Sequence, residues 1–208
     1  LSATLEPFSH GSYSGNNVVA TKLGTVDPNR IYIVGGHYDS AGTPGADDNA
    51  SGVALVLEAA RVLTPYPSDY TIRFIAFDLE ELGLYGSSAY VSAHPNDNIQ
   101  GMVSTDMEAY DPNTNNALIY GRAASNPIKL AIAAAANEYG PLAYTLGGQL
   151  DQSDHAPFEA AGRLACLLIE GEVWNNPNYH TQQDSYDNPG YLNFAYAAKM
   201  TRTIVGWL

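Results

Sequence analysis

Imidazole and carboxylate side chains gather directly after two short apolar segments of this 208-residue sequence. The first segment ends in Gly35-Gly36-His37-Tyr38-Asp39, and Asp47-Asp48 follows it closely. The second segment leads straight into the sequence from Asp78 to Glu80-Glu81. Carboxylates held this close together repel one another, and some of them stay protonated unless a cation is present. The residue types and their positions therefore predict a cation-binding site.

The apolar segments next to these residues have the length and character of buried strands. Residues 31–34 and 70–77 are short and largely apolar, which is typical of strands covered on both faces. Residues 51–63 between them have helical spacing and stop at Thr64-Pro65. Sites in open α/β sheets form beyond the carboxyl ends of strands, and the candidate ligands stand at such ends.

Strand-like and helical segments alternate along the rest of the chain. Further strands are predicted at residues 17–23, 99–106, 116–120, near Tyr144 and at 163–170. Further helices are predicted at residues 84–94, 126–140, 153–161 and 189–208. This alternation predicts one α/β domain over residues 1–208, with a mostly parallel, mixed central sheet and helices on both faces. Residues 1–16 have no clear period and are predicted to form an irregular N-terminal lead-in.

A long polar loop is predicted at residues 171–190, between the last strand and the last helix. Trp174, Tyr179 and His180 lie in it. Loops of this length are more often functional than idle, so we expect this loop to contribute to the site.

Charge and cysteine content exclude several classes of function. The net charge is −13, with 22 acidic against 9 basic residues, which argues against nucleic acid or an anionic membrane as a partner. No apolar run approaches the length needed to span a bilayer. The single cysteine, Cys166, excludes an internal disulfide and lies in an apolar strand, where we expect a buried, inert thiol. The composition is rich in Tyr, Asn, Gly and Ser, and we expect a secreted monomer.

Two short motifs near Asp48 compete with the metal-site interpretation. Asp47-x-Asn49-x-Ser51-Gly52, with Glu58 at the twelfth position, resembles an EF-hand calcium loop. That loop needs an entering helix, whereas a strand and a Gly/Pro-rich turn enter here, so we disfavour it. Asn49-Ala50-Ser51 also matches the N-glycosylation acceptor, but a glycan there would block the predicted site. No serine-hydrolase elbow, P-loop or dinucleotide-binding motif is present.

Six sequence blocks, in order, closely resemble the M28 family of zinc aminopeptidases, and the resemblance runs from about Asn17 to the final helix. The blocks are His37-Tyr38-Asp39-Ser40, Pro44-Gly45-Ala46-Asp47-Asp48-Asn49-Ala50-Ser51-Gly52, Glu80-Glu81-Leu82-Gly83-Leu84-x-Gly86-Ser87, Thr105-Asp106-Met107, Ser153-Asp154-His155-Ala156-Pro157-Phe158 and Tyr179-His180-Thr181. A single block would be weak support, whereas the whole series is specific.

The resemblance implies two zinc ions per chain, a single zinc-exopeptidase domain and a role for each matched residue. The implied metal ligands are His37, Asp48, Glu81, Asp106 and His180. In this assignment Asp48 bridges the ions, Asp39 stands behind His37, and Glu80 is the general base. Each ion would keep room for water, as catalytic zinc sites do.

The implied substrates are the N-termini of peptides or proteins. The free α-amino group is cationic and would be drawn to the acidic floor of the site, whereas an internal amide brings no such charge. We expect a preference for a large apolar first residue, and we name five candidates for its pocket: Met107, Tyr144, Phe158, Trp174 and Tyr179. Glu108 stands where many relatives carry an apolar residue, and its effect on specificity stays open.

Two alternatives remain at this point. A glutaminyl-peptide cyclotransferase resembles this fold but works with one zinc. A catalytically silent binding domain could keep the fold, although such a domain has no need of a general base at Glu80.

Overall fold

Eight strands form one mixed sheet in the computed structural model, which describes residues 1–208. The strands are β1 (Ser2–His10), β2 (Tyr13–Lys22), β3 (Asp27–His37), β4 (Tyr70–Phe77), β5 (Asn98–Asp106), β6 (Asn116–Tyr120), β7 (Ala143–Leu146) and β8 (Ala165–Glu170). The helices are α1 (Ala50–Leu63), α2 (Tyr85–Ala93), α3 (Asn126–Glu138), α4 (His155–Ala160) and α5 (Phe194–Trp207), with 3-10 turns at Ala123–Ser125 and Val173–Asn175. None of the helices has the length and apolar character needed to cross a membrane.

The centre of the sheet is parallel. The strand order is β1-β2-β4-β3-β5-β8-β6-β7, and β3 pairs in parallel with both β4 and β5, as β5 does with β8. The outer pairs β1–β2, β2–β4 and β6–β8 are antiparallel. The predicted α/β fold with a mostly parallel, mixed sheet is confirmed. Because neighbouring parallel strands end at the same edge, the residues that follow them meet there.

Helices cover both faces of the sheet, also as predicted. Adjacent strand residues point to opposite faces, so Ile33 and Val34 belong to different apolar clusters. The larger cluster includes Val34 and side chains from α1, α3 and α5. The smaller one includes Ile33 together with Tyr90 of α2 and Phe158 of α4. Phe158 is fully buried there, with its ring centroid 6.2 Å from that of Phe77.

The predicted irregular lead-in at residues 1–16 is wrong. Ser2–His10 is a strand that pairs with β2 along its whole length, and β2 begins at Tyr13. Most side chains of β1 are exposed on both faces. No apolar alternation therefore marks this strand in the sequence, and backbone pairing to β2 decides its structure. The strand predicted at 17–23 is the second half of β2, which starts earlier, at Tyr13.

The other predicted elements are present with shifted ends. The strands at 70–77 and 116–120 have the predicted bounds, whereas the helix predicted at 189–208 begins only at Phe194. Asn193 caps that helix by accepting a hydrogen bond from the backbone N–H of Tyr196. Cys166 is buried in β8, as the sequence predicts.

Candidate metal centre

The ends of two adjacent parallel strands bring His37 and Asp106 together. His37 is the last residue of β3 and Asp106 is the last residue of β5. Nε2 of His37 lies 3.4 Å from Oδ1 of Asp106. On the other side of β3, β4 pairs Phe77 with His37 and then runs on into the loop with Glu80 and Glu81. Three strands thus deliver the candidate ligands to one edge of the sheet.

The carboxylate of Asp48 lies between two histidines. Its Oδ1 is 3.3 Å from Nε2 of His37, and its Oδ2 is 3.1 Å from Nε2 of His180. The same His180 nitrogen is 3.3 Å from Oε2 of Glu81. Each of the two Asp48 carboxylate oxygens therefore faces a different histidine.

Two groups of donor atoms are close enough to hold a cation. The ligand atoms of His37, Asp48 and Glu81 lie within 4.8 Å of one another, and so do those of His37, Glu80 and Asp106. His180 joins the first group through its contacts with Asp48 and Glu81, so all five predicted ligands lie close together. The roles within the group, including that of Glu80 as a base rather than a ligand, stay predictions.

Asp39 joins His37 to the Glu80–Glu81 loop. Nδ1 of His37 lies 3.1 Å from the Asp39 carbonyl oxygen and 3.4 Å from its Oδ1. The two carboxylate oxygens of Asp39 accept hydrogen bonds from the backbone N–H groups of Glu80 and Glu81, at 3.0 and 3.2 Å. Asp39 therefore orients the ring and the loop together, as partners behind metal-binding histidines do.

Asn49 holds the segment that follows Asp48 against β5. Its Nδ2 donates to the carbonyl oxygen of Thr105, and its Oδ1 accepts from the backbone N–H of Gly52, which caps α1. A Cβ atom at Gly52 would stand 2.4 Å from the Thr105 oxygen, so only glycine allows this approach. The Asn49 side chain is buried and fully engaged, which leaves no room for a glycan at this motif. The EF-hand interpretation also fails, because α1 begins at Ala50 and Glu58 lies inside it.

Asp184 is a buried residue of the site that the sequence analysis missed. Its carboxylate accepts hydrogen bonds from the backbone N–H groups of Asp47 and Asp48, at 2.7 and 3.1 Å. The length of the 171–190 loop was the only available signal. Nothing in the sequence relates Asp184 to a loop about 136 positions earlier.

Burial and the close spacing of the carboxylates shift the pKa values of the titratable groups at this site. Burial, opposed in part by His37, raises the pKa of Glu80 to about 10, with further increases from the charges of Asp106 and Asp154. Burial and the charge of Asp48 raise the pKa of Glu81 as well. Burial lowers the pKa of His37, but Asp106 and the other carboxylates around it outweigh that effect and raise the pKa well above its usual value.

The donor set fits zinc. Oε1 of Glu81 is buried without a hydrogen-bond partner, so the protein leaves a ligand oxygen unsatisfied. Imidazole nitrogens and carboxylate oxygens are zinc ligands, and a divalent cation would offset the repulsion among the carboxylates.

A cavity of about 530 Å³ opens onto these side chains. Its lining combines the candidate ligands with eight apolar or aromatic side chains, which we call the apolar wall: Leu84, Met107, Leu150, Leu167, Ile169, Val173, Trp174 and Tyr179. Of the five predicted pocket residues, Met107, Trp174 and Tyr179 line the cavity, whereas Tyr144 on β7 and buried Phe158 do not. Glu108 is fully buried outside the cavity, and its Oε1 accepts from the backbone N–H of Asp106.

Comparisons with known proteins relate this chain to a peptidase family and to zinc aminopeptidase structures. The family model described as Peptidase family M28 matches residues 17–205. Aminopeptidase YwaD of Bacillus subtilis (strain 168) is 37% identical over 203 residues, covering 89% of this chain and 43% of the relative. The structure of BSAP, a zinc aminopeptidase from Bacillus subtilis, superposes with a TM-score of 0.83 at 31% identity, covering 93% of this chain and 49% of that one.

One similar structure concerns the cyclotransferase alternative. A glutaminyl cyclase from Porphyromonas gingivalis has a TM-score of 0.76 at 20% identity, covering 99% of this chain and 82% of that one, which shows a shared fold alone. The chain spans about half the length of the aminopeptidases it matches.

Proposed function

Because this chain belongs to peptidase family M28, we propose that it is a zinc-dependent aminopeptidase, which hydrolyses the peptide bond after the N-terminal residue of a peptide or protein. One observation carries the proposal: the Asp48 carboxylate lies between His37 and His180, with Glu81 and Asp106 beside them, at the floor of a cavity with an apolar wall.

Two zinc ions per chain are part of the proposal. His37 and Asp106 would hold one ion, Glu81 and His180 the other, and Asp48 both. When bound, zinc lowers the pKa of its water from ~16 towards ~7 and polarises the substrate carbonyl. The double contact of Asp48 with His37 and His180 supports the shared position.

Glu80 is the proposed general base. It lines the cavity beside the ligands, and its backbone N–H is tied to Asp39, which fixes the loop that carries it. The Glu80 carboxylate takes a proton from the attacking water and passes it to the leaving amine nitrogen. Asp39 takes no part in that transfer and keeps both His37 and the Glu80 loop in position.

The cavity divides recognition of the N-terminal residue between two surfaces. Carboxylates of the floor attract the cationic α-amino group. The apolar wall, which includes Met107, Ile169 and Val173, takes the side chain. Each buried methylene is worth about 0.8 kcal/mol, so large apolar residues are the proposed preference. Secretion and a monomeric state, which rest on composition alone, complete the proposal.

The test is release of p-nitroaniline from leucine p-nitroanilide before and after chelation, with zinc titrated back. Activity lost on chelation and restored near two zinc ions per chain supports the proposal. Full recovery at one zinc overturns the two-metal arrangement. Cyclisation of an N-terminal glutamine without amino-acid release would favour the cyclotransferase. If no metal state shows turnover on substrates with a range of N-terminal residues, the remaining interpretation is a catalytically silent binding domain.

A further inference from the structure

One wall of the cavity has no secondary structure of its own. Leu150, Asp151 and Gln152 line the cavity, and residues 147–152 lie between β7 and α4 without a helix or strand. We refer to residues 147–152 as the wall loop. Two backbone hydrogen bonds join its start to the end of β6. The N–H of Gly147 donates to the carbonyl oxygen of Ile119, and the N–H of Gly121 donates to that of Gly148.

Lys129 on α3 ties the wall loop to the segment after β6. Its side chain is 4% exposed, and Nζ donates to the carbonyl oxygens of Gly121 and Gly147, both at 2.9 Å. No carboxylate lies within 4.0 Å of this ammonium group. A buried cation is costly unless it is hydrogen-bonded, and here its bonds join two segments. Lys129 therefore acts as a clamp between them.

Arg122 makes the second connection, closer to the cavity. Its Nη2 lies 3.0 Å from Oδ1 of Asp151, and Gln149 donates to Oδ2 of the same carboxylate. The backbone N–H of Arg122 donates to buried Glu159, which anchors the base of the arginine. The cavity-lining residue Asp151 thus accepts hydrogen bonds from both Arg122 and Gln149.

The same end of β6 also supports a second residue of the cavity lining, Trp174. The Tyr120 hydroxyl accepts a hydrogen bond from Nε1 of Trp174, which lines the cavity. A Cβ atom at Gly147 would stand 2.2 Å from the Tyr120 ring, so the wall loop approaches this ring as closely as glycine allows. Neither Arg122 nor Lys129 lines the cavity itself.

We propose that Arg122 and Lys129 are positioning residues, which hold the wall loop against β6 and thereby set the selectivity for the side chain of the N-terminal residue. This inference rests on the proposed function, because it takes the cavity as the site of that side chain. A wall that moves by about 1 Å loses contacts with a large side chain more than with a small one.

The experiment compares Arg122→Gln and Lys129→Met with wild type on leucine and alanine p-nitroanilides. We expect KM for the leucine substrate to rise and the ratio of kcat/KM, leucine over alanine, to fall about three- to tenfold. The kcat values should stay within about twofold, since the reacting groups do not move. Arg163→Gln is the matched control: Arg163 also binds backbone carbonyls, of His94, Pro95 and Asp97, but away from the cavity.

Hydrogen exchange gives a readout that does not depend on turnover. Amides of the wall loop should exchange faster in Arg122→Gln and Lys129→Met, and not in Arg163→Gln. An unchanged leucine-to-alanine ratio in an active Arg122→Gln enzyme overturns the inference, as does unchanged exchange. If Lys129→Met does not fold, Arg122→Gln carries the test alone. If the wild-type protein has no peptidase activity, the proposed function is overturned. Hydrogen exchange of the wall loop still tests whether Arg122 and Lys129 hold that loop in place.

Discussion

The two halves of the candidate metal centre are built differently. His37 and Asp106 stand on the last residues of adjacent strands, and the His37 side chain is 2% exposed. His180 and Glu81 stand on loops, and the His180 side chain is 41% exposed, with a backbone φ of +54°. That φ lies in the left-handed region, which costs energy for a residue with a Cβ atom. We call His37 and Asp106 the strand half and His180 and Glu81 the loop half. Loss of a ligand from the strand half should therefore weaken both metal binding and fold stability, whereas loss of a ligand from the loop half should weaken metal binding alone.

The largest expected effect concerns Glu80, whose carboxylate lies near His37 and Asp106. Glu80→Gln keeps the size and the backbone contact to Asp39 but removes the proton acceptor. We expect kcat to fall about 10²- to 10⁴-fold while zinc stays bound. Zinc content and kcat are measured on the same preparation, with Glu58→Gln as control, since Glu58 lies exposed on α1 beside Arg61. Retained activity would remove Glu80 from the role of base.

Alanine at each histidine tests the difference between the halves. His180→Ala should lose one of the two proposed zinc ions and keep a melting temperature nearer that of wild type than His37→Ala does, because 41% of the His180 side chain is exposed. His37→Ala should lose zinc and also destabilise the fold by about 3–5 kcal/mol, because buried Asp106 loses its histidine partner and buried Asp48 keeps only His180. Zinc analysis and denaturant unfolding measure both. Equal losses of stability would show that the halves do not differ.

The Asp184→Ala variant tests whether the metal centre depends on hydrogen bonds from a distant part of the chain. Asp184→Ala leaves the buried N–H groups of Asp47 and Asp48 without acceptors, which should cost about 2–4 kcal/mol of unfolding free energy and weaken zinc binding. Urea titration and zinc competition measure these losses. Asp187→Ala, an exposed change in the same loop, is the control. If the two variants behave alike, the buried hydrogen bonds of Asp184 contribute nothing measurable.

The smallest effect is expected at Cys166, in the strand behind the apolar wall. Burial raises the pKa of this thiol, so at pH 8 its reactive thiolate fraction lies below that of a free cysteine. Native protein should therefore resist iodoacetamide and keep its activity, whereas protein in guanidinium should react fully. Mass spectrometry counts the label. Rapid labelling of native protein would mean that β8 opens, and the wall with it.

The elements nearest the chemistry were the most predictable from the sequence. The strands that end near His37 and Asp106 are buried, and burial produces the apolar runs that mark them. The strand β1 was missed because both of its faces are largely exposed, whereas the second half of β2 was predicted. Among the pocket candidates, Phe158 and Trp174 are both aromatic, and nothing local separates a residue buried in the core from one on the cavity wall.

Hydrophobic pattern and motif spacing are local properties, so the sequence alone reveals the donor types, their order and the strand ends that carry several of them. The fold of the whole domain settles which side chains meet. It seats the Asp48 carboxylate between His37 and His180, brings Asp184 beneath it and ties the wall loop to β6 through Lys129 and Arg122. These contacts join segments far apart in the chain, and packing of the whole domain selects them, so no local pattern records them.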